Sequence, residues 1–288
     1  MTTSAQIVKD RIIARRADLT ASERALAEVL MRNYPVAGLQ SVTRLANAAG
    51  VSTPTVIRMA RKLGFDGFPD LQNALRDEAA AQIREPIARR AAWLEGAGEG
   101  HVLNQFAQAV TDNLRNTLDT VDVAGFEAAA GLLADPGRRV HIAGGRITRS
   151  NADYLFNHLQ IIRPDVTLLS QSANVWPQYI LDMGPETTLV LFDIRRYEAD
   201  LARLAKLATD RGASVVLFTD QWGSPISTDA AHVFNAHVEA PSSWDSTIAI
   251  MLLIEALIAK VQAAQWDSAK DRIEALEQMF GTTKLFRS

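Results

Sequence analysis

The sequence has no cysteine, which excludes disulfides and thiolate metal sites, and nothing in its composition ties the chain to an oxidising compartment. It also has no long apolar run. The N-terminus, MTTSAQIVKDRIIARRADLT, lacks a core of signal-peptide length. The most hydrophobic later segment, STIAIMLLIEALIAK, is interrupted by Glu255 and is too short to span a bilayer. No internal repeat and no low-complexity tract occurs. The five histidines are scattered, and His232 and His237, five apart on an expected strand, would face opposite sides, which is no arrangement for a metal. These absences predict a cytoplasmic protein without a membrane partner, a metal or a cofactor.

What is present is enough for two packed domains: 288 residues, 48% of them hydrophobic. The net charge of −3 conceals an asymmetry. Residues 1–90 carry 14 Lys and Arg against 9 Asp and Glu, a net +5, whereas residues 91–288 carry 16 against 24, a net −8. The N-terminal third is the part suited to a polyanion, although an ordinary solvated helical surface rich in arginine would have the same balance.

From Leu19 to about Arg84 the pattern is helical with short breaks. LTASERALAEVLMRNY opens on Thr20 with Glu23 three residues on, a capping-box arrangement, and its apolar stripe is Leu26, Val29 and Leu30, ended by Pro35. SVTRLANAAG is a second short helix closed by Gly50, STPTVIRMARKLG a third closed by Gly64, and FPDLQNALRDEAAAQIRE a fourth with Pro69 in its first turn. After about residue 100 the pattern changes. Five short runs rich in Val, Leu and Ile begin near Val140, Asp165, Thr188, Ser214 and His232, mostly at intervals that fit a helix and two loops. That rhythm predicts parallel βαβ units, and continuous rather than alternating apolar runs predict a sheet covered on both faces. The expected architecture is an all-α N-terminal domain, a helix-turn-helix bundle, followed by a doubly wound, flavodoxin-like five-stranded parallel sheet. The expected boundaries are 1–84 for the helical domain, 85–105 for a linker, 106–265 for the α/β domain and 266–288 for a C-terminal helical tail. The stretch WLEGAGEGHVLNQ, with Gly96, Gly98 and Gly100, is the candidate hinge.

A DNA-reading helix-turn-helix needs a small residue where its first helix backs onto the second, a residue tolerant of left-handed backbone in the turn, and an apolar anchor on the second helix. Ala46, Gly50 and Val56 supply these at the required spacing. Ser52 is placed to cap the second helix and Pro54 sits in its first turn. With Val56, Met59, Ala60 and Leu63 facing inward, Thr53, Thr55, Arg58, Arg61 and Lys62 face out or lie at the flank. Together with Ser52 they are the candidate contacts to double-stranded operator DNA. A plain helical hairpin is the competing reading of the same spacing.

The string LANAAGVSTPTVIRMARKLGFDGFPDLQNAL resembles the N-terminal domain of the MurR/RpiR family of bacterial transcriptional regulators. The resemblance covers residues 5–80 closely and 105–265 at the level of pattern. It implies that the α/β domain is a sugar-isomerase (SIS) domain, a module that senses phosphosugars. In a flavodoxin-like sheet the loops after the first and third strands meet at the switch point. Here they are GGRITRSN, Gly144 to Asn151, and DIRRYEAD, Asp193 to Asp200. Gly144 and Gly145 allow close backbone approach, and helix N-termini favour an anion. SIS domains typically carry a serine in the first loop and a Ser-x-Ser-Gly-x-Thr string in the second. Thr148 stands in for the former, but Asp193, Arg195, Arg196 and Glu198 replace the latter. Arginine holds carboxylate or phosphate bidentately, so a small anionic metabolite remains the expected effector, whereas a phosphosugar specifically does not follow. The candidate effector residues are Gly144, Gly145, Arg146, Thr148, Ser150, Asp193, Arg195, Arg196 and Glu198. The competing reading is an internal salt-bridge cluster in a closed pocket.

The resemblance also implies that the apolar helix in SSWDSTIAIMLLIEALIAK packs into a dimer, with Trp244 either lining the site or buried in the core. DSAKDRIEALEQMF is an amphipathic C-terminal helix suited to packing or association. The function expected is a ligand-responsive DNA-binding regulator, a homodimer or homotetramer because one helix-turn-helix reads only a half-site. Two other classes compete. A phosphosugar isomerase-like enzyme would have Glu198 or Asp193 as its base, but it lacks the phosphate string. An interaction protein that binds no DNA is disfavoured by the +5 charge and the outward Arg58 and Lys62.

Overall fold

The computed structural model describes residues 6–96 and 100–284, so part of the candidate hinge, residues 97–99, lies outside the described residues. The chain forms two compact units. The first runs through Thr120 and adds two later segments, Asp220–Thr228 and His237–Ser246; the second holds Val121–Thr219, Asp229–Ala236 and Thr247–Ser288.

The first unit is helical: α1 (Val8–Ala14), α2 (Ala21–Arg32), α3 (Val42–Ala48), α4 (Thr53–Lys62), α5 (Phe68–Ile83), α6 (Pro86–Gly96) and α7 (Val102–Thr120). Helices α2 to α5 lie where the apolar periodicity and caps put them. The capping box forms: Glu23 N–H donates to Thr20 Oγ1 at 3.3 Å and Thr20 N–H to Glu23 Oε2 at 2.8 Å. Helix α1 was not foreseen. Its first-turn amides take acceptors distant in sequence, Val8 N–H on Glu78 Oε1 at 2.8 Å and Lys9 N–H on the Tyr34 hydroxyl at 3.0 Å. Lys9 and Asp10 are buried despite their charge, and Asp10 Oδ2 stands 3.0 Å from Nε2 of the buried His237. Burial pushes Glu78 up to about 7 and pulls Lys9 down to about 8, the second change held back by Asp220, Asp10 and Glu78.

The expected linker at 85–105 is largely helical. Pro86 opens α6 rather than ending a helix, since a proline at the first helical position gives up no bond, and the run IARRAAWLE that follows is made mostly of good helix formers. Helix α7 begins within the same stretch.

The second unit contains α8 (Val123–Ala134), β1 (Arg139–Gly144), α9 (Arg149–Ile162), β2 (Val166–Leu168), α10 (Trp176–Leu181), β3 (Thr187–Asp193), α11 (Ala199–Asp210), β4 (Ser214–Asp220, its last residue belonging to the first unit), β5 (His232–Ala236), α12 (Ile248–Ala264) and α13 (Trp266–Thr283). All five apolar runs are strands, and they form one parallel sheet of order β2-β1-β3-β4-β5. Every residue of β3 is buried, as a strand covered on both faces requires. Helix α9 packs on β1 and β2, α11 on β3 and α8 on β5. Arg163, fully buried, donates Nη1 to the carbonyls of Leu133 at 2.5 Å and Asp135 at 2.9 Å, so it helps to satisfy the C-terminal end of α8.

Helix α12 packs Ala249, Ile250, Leu253, Ile254, Leu257, Ile258 and Val261 within the chain, against α8 and α9, and leaves Ile248 exposed and Met251 and Leu252 half-buried on its other side. Trp244 is mostly exposed and is no core residue. Among the described residues no single helix is long and apolar enough to cross a membrane.

Candidate functional site

In the first unit, α3 and α4 are joined by a turn whose backbone is fully accounted for. Gly50 has φ of 62°, a left-handed conformation that a β-carbon disfavours. Gly50 N–H donates to Asn47 O at 3.1 Å and Val51 N–H to Ala46 O at 2.9 Å, the paired return bonds of a Schellman motif. Helix α4 ends the same way, with Gly64 N–H on Arg61 O at 3.0 Å and Phe65 N–H on Ala60 O at 3.0 Å. Ala46, Val56, Met59, Ala60 and Leu63 are all buried, so the register of α4 is the one its sequence predicts.

That register divides the candidate DNA contacts. Ser52, Arg58 and Arg61 are exposed and Thr53 is half-buried. Thr55 is buried: its hydroxyl takes a hydrogen bond from Arg58 Nη2 at 3.0 Å and shares another with Ser52 Oγ at 3.0 Å. Ser52 therefore spends its side chain on Thr55 and makes no cap bond to the helix backbone, contrary to expectation. Lys62 is not an outward cation. Its Nζ donates to Glu23 Oε2 at 2.6 Å and to Asp18 O at 3.0 Å, fastening the end of α4 to the capped start of α2. Neither partner could be inferred from spacing, since they lie 39 and 44 residues away.

In the second unit the strand order reverses at β1 and β3, and their following loops are adjacent there. Thr148 is buried between them: its hydroxyl donates to Phe192 O at 2.6 Å and accepts from Gly145 N–H at 2.9 Å. It is a strut between the first loop and β3 rather than a free ligand-facing hydroxyl. Asp193, also buried, accepts from Glu198 N–H at 3.1 Å. Glu198 is exposed, and its Oε1 accepts from Arg146 N–H at 2.6 Å. Ser150 Oγ donates to Ile147 O at 3.1 Å within its own turn. Arg149 is committed as well, to Asp153 at 2.9 Å and Leu169 O at 2.5 Å. Arg146 and Arg196 are exposed and Arg195 half-buried.

The two glycines of the first loop make room for different things. A β-carbon on Gly144 would lie 2.6 Å from Thr148 O, so this glycine admits the loop's own backbone. A β-carbon on Gly145 would lie 2.7 Å from Glu198 Oε1, so this one admits a carboxylate. The sequence alone places Gly145 and Glu198 in one site without showing that they touch. The signal was the glycine, which marks a close approach without saying by what.

Comparison with known proteins covers both units. Residues 7–82 match the helix-turn-helix domain model of the rpiR family and residues 132–260 match the SIS domain model. The chain is 27% identical over 224 residues to the HTH-type transcriptional regulator HexR of Pseudomonas aeruginosa, covering 76% of this chain and 74% of that one. It is 23% identical over 220 residues to the HTH-type transcriptional regulator RpiR of Escherichia coli, covering 75% and 71%. Among solved structures, the Vibrio vulnificus NanR protein complexed with ManNAc-6P aligns at a TM-score of 0.58 and 18% identity over 98% of this chain and 100% of that one. The sugar isomerase domain of the RpiR transcription factor from Sphaerobacter thermophilus aligns at 0.57 and 19%, over 61% and 97%. These structural likenesses speak to fold. Sequence and fold agree module by module, and the chain belongs to the RpiR family of transcriptional regulators, with a DNA-binding helix-turn-helix followed by a SIS domain.

Proposed function

We infer that α4 reads operator DNA through Ser52, Thr53, Arg58 and Arg61, that the protein does so as a homodimer or homotetramer, and that the loops after β1 and β3 receive a small anionic metabolite. The observation that carries the DNA reading is the α3–Gly50–α4 geometry, with Arg58 and Arg61 exposed on the second helix. The +5 balance of residues 1–90 supports it, because phosphate neutralisation supplies much of the affinity of such domains. Support for an anionic effector comes from the exposed Arg146 and Arg196 beside the loops, and from the sugar phosphate carried by the NanR relative. The chain acts as a regulator in the compartment of the chromosome, and not as an isomerase. An isomerase of this fold would need a phosphate cradle, and Asp193, Arg195, Arg196 and Glu198 stand where the Ser-x-Ser-Gly-x-Thr string would supply it.

The test is fluorescence anisotropy with duplex DNA from the protein's own upstream region against a shuffled duplex, over a salt series. Preference of 10³-fold or more for the upstream duplex is the order expected of a specific regulator. Equal affinity for both duplexes would refute operator reading, and turnover of sugar phosphates by the purified chain would favour the isomerase.

A further inference from the structure

The exposed carboxylate of Glu198 lies against the loop after β1. Its Oε1 is 2.6 Å from Arg146 N, and it occupies the space that a side chain at Gly145 would fill. The next two amides, of Ile147 and Thr148 at the start of α9, donate to no acceptor among the described residues. A helix N-terminus with such amides favours a negative group, and here the chain supplies one itself. Glu198 is also the residue before α11, and its own N–H is held by the buried Asp193. Its side chain therefore joins the loop after β1 while its backbone belongs to the loop after β3.

We propose that Glu198 is a built-in competitor for the effector: its carboxylate takes the place of the ligand's anionic group on the first-loop amides, and an effector binds by displacing it. This rests on the reading of these loops as the effector site and specifies what selects the ligand there. Two consequences follow from the geometry. A ligand must hold the amides better than a tethered carboxylate does, so a weak singly charged anion is excluded while a dianionic phosphate competes. Displacement also removes the Glu198–Arg146 bond between the two loops, so arrival of the ligand changes how the loop after β3 is fastened. Arg195 and Arg196, on that loop, would receive the remainder of the ligand.

The test uses the full chain with inorganic phosphate as probe, followed by isothermal titration and by amide chemical shifts. Glu198→Ala removes the competitor, and Glu198→Gln keeps an acceptor for Arg146 N–H while removing the charge. Gly145→Ala fills the space on the amides. The expected result is that Glu198→Ala binds phosphate at least about tenfold more tightly than the wild type, with Glu198→Gln between them, and that the Ile147 and Thr148 amides shift on binding. Adding Gly145→Ala to Glu198→Ala should abolish that gain. Equal phosphate affinity in the wild type and both Glu198 variants, with binding lost in Gly145→Ala, would overturn the competitor while leaving the site. Absence of phosphate binding in every variant, each melting at the wild-type temperature, would overturn both.

Discussion

Replacing Lys62 by Met separates a structural cation from a DNA contact, because the two roles predict opposite results. In the fold, Lys62 Nζ lies 2.6 Å from Glu23, whose side chain is only 5% exposed, while the lysine is 30% exposed. Removing one member of a fully buried pair costs about 3–5 kcal/mol, and a typical hydrogen bond to a charged group contributes about 1.5–3. With water able to reach the lysine side, a loss of about 2 kcal/mol follows for the first unit, or roughly 5–10 °C in its melting temperature. The pH profile carries the same signature. Burial alone would raise the Glu23 carboxyl, but hydrogen bonds from Lys62 and Thr20 outweigh it and hold the group below its ordinary value. A depressed carboxyl stabilises above its unfolded pKa, and that stabilisation is lost as pH falls through the folded value. The wild type should therefore lose more stability than Lys62→Met on acidification below the ordinary Glu value of 4.5. Urea unfolding followed by helical circular dichroism at several pH values makes the measurement. An unchanged unfolding curve, together with a fall of about 0.9 in the salt slope of operator binding, would refute the staple and return Lys62 to the phosphate backbone.

Three further outcomes are expected. Arg58→Ala should weaken operator binding by roughly 1–3 kcal/mol if the contact is to a base edge, with the fold intact; unchanged anisotropy titrations from a folded variant would remove Arg58 from the reading face. Leu257→Ala, at a fully buried position of α12, should destabilise the second unit by about 2–5 kcal/mol without changing the oligomeric state, and dissociation at wild-type stability in light scattering would put α12 back at an interface. Glu78, raised by burial to about 7, contributes stability that is present below its unfolded value of 4.5 and lost as pH rises to about 7. Glu78→Gln should flatten the stability profile in that window, and an unaltered slope in thermal melts from pH 4.5 to 7 would show that the group does not titrate there.

The sequence disclosed those parts of the molecule in which neighbours along the chain determine the outcome. The turn at Gly50, the capping box at Thr20 and the five apolar strands depend on residues within a few positions of each other, and the strand rhythm alone located the loops at Gly144 and Asp193. Helix α1 was hidden because Lys9 and Asp10 interrupt its apolar pattern, and they are tolerated only by groups such as Tyr34, Glu78 and His237 that no local window contains. Lys62 and Thr148 look like free polar contacts for the same reason, and Thr55 does because spacing does not fix the rotamers of Ser52 and Arg58. Each is polar and placed near a functional surface, yet its partner is fixed by the tertiary fold or by a neighbour's choice of rotamer. Helix α12 marks a different limit: its apolarity is legible, but pattern does not say how much of it the same chain covers, and here α8 and α9 cover one face.

The first unit gathers three separated segments of the polypeptide, with Asp220–Thr228 and His237–Ser246 returning to it after most of the sheet has been laid down. A cut at residue 84 would leave Asp10 without His237 and Lys9 without Asp220. A helix-turn-helix excised at residue 84 is therefore expected to be less stable than the same helices in the whole chain. A chimera that grafts it onto another regulator's sensing domain must also transplant, or replace with compatible residues, the stretches around Asp220 and His237, and ribosomal synthesis must pass residue 246 before the unit has all of its parts.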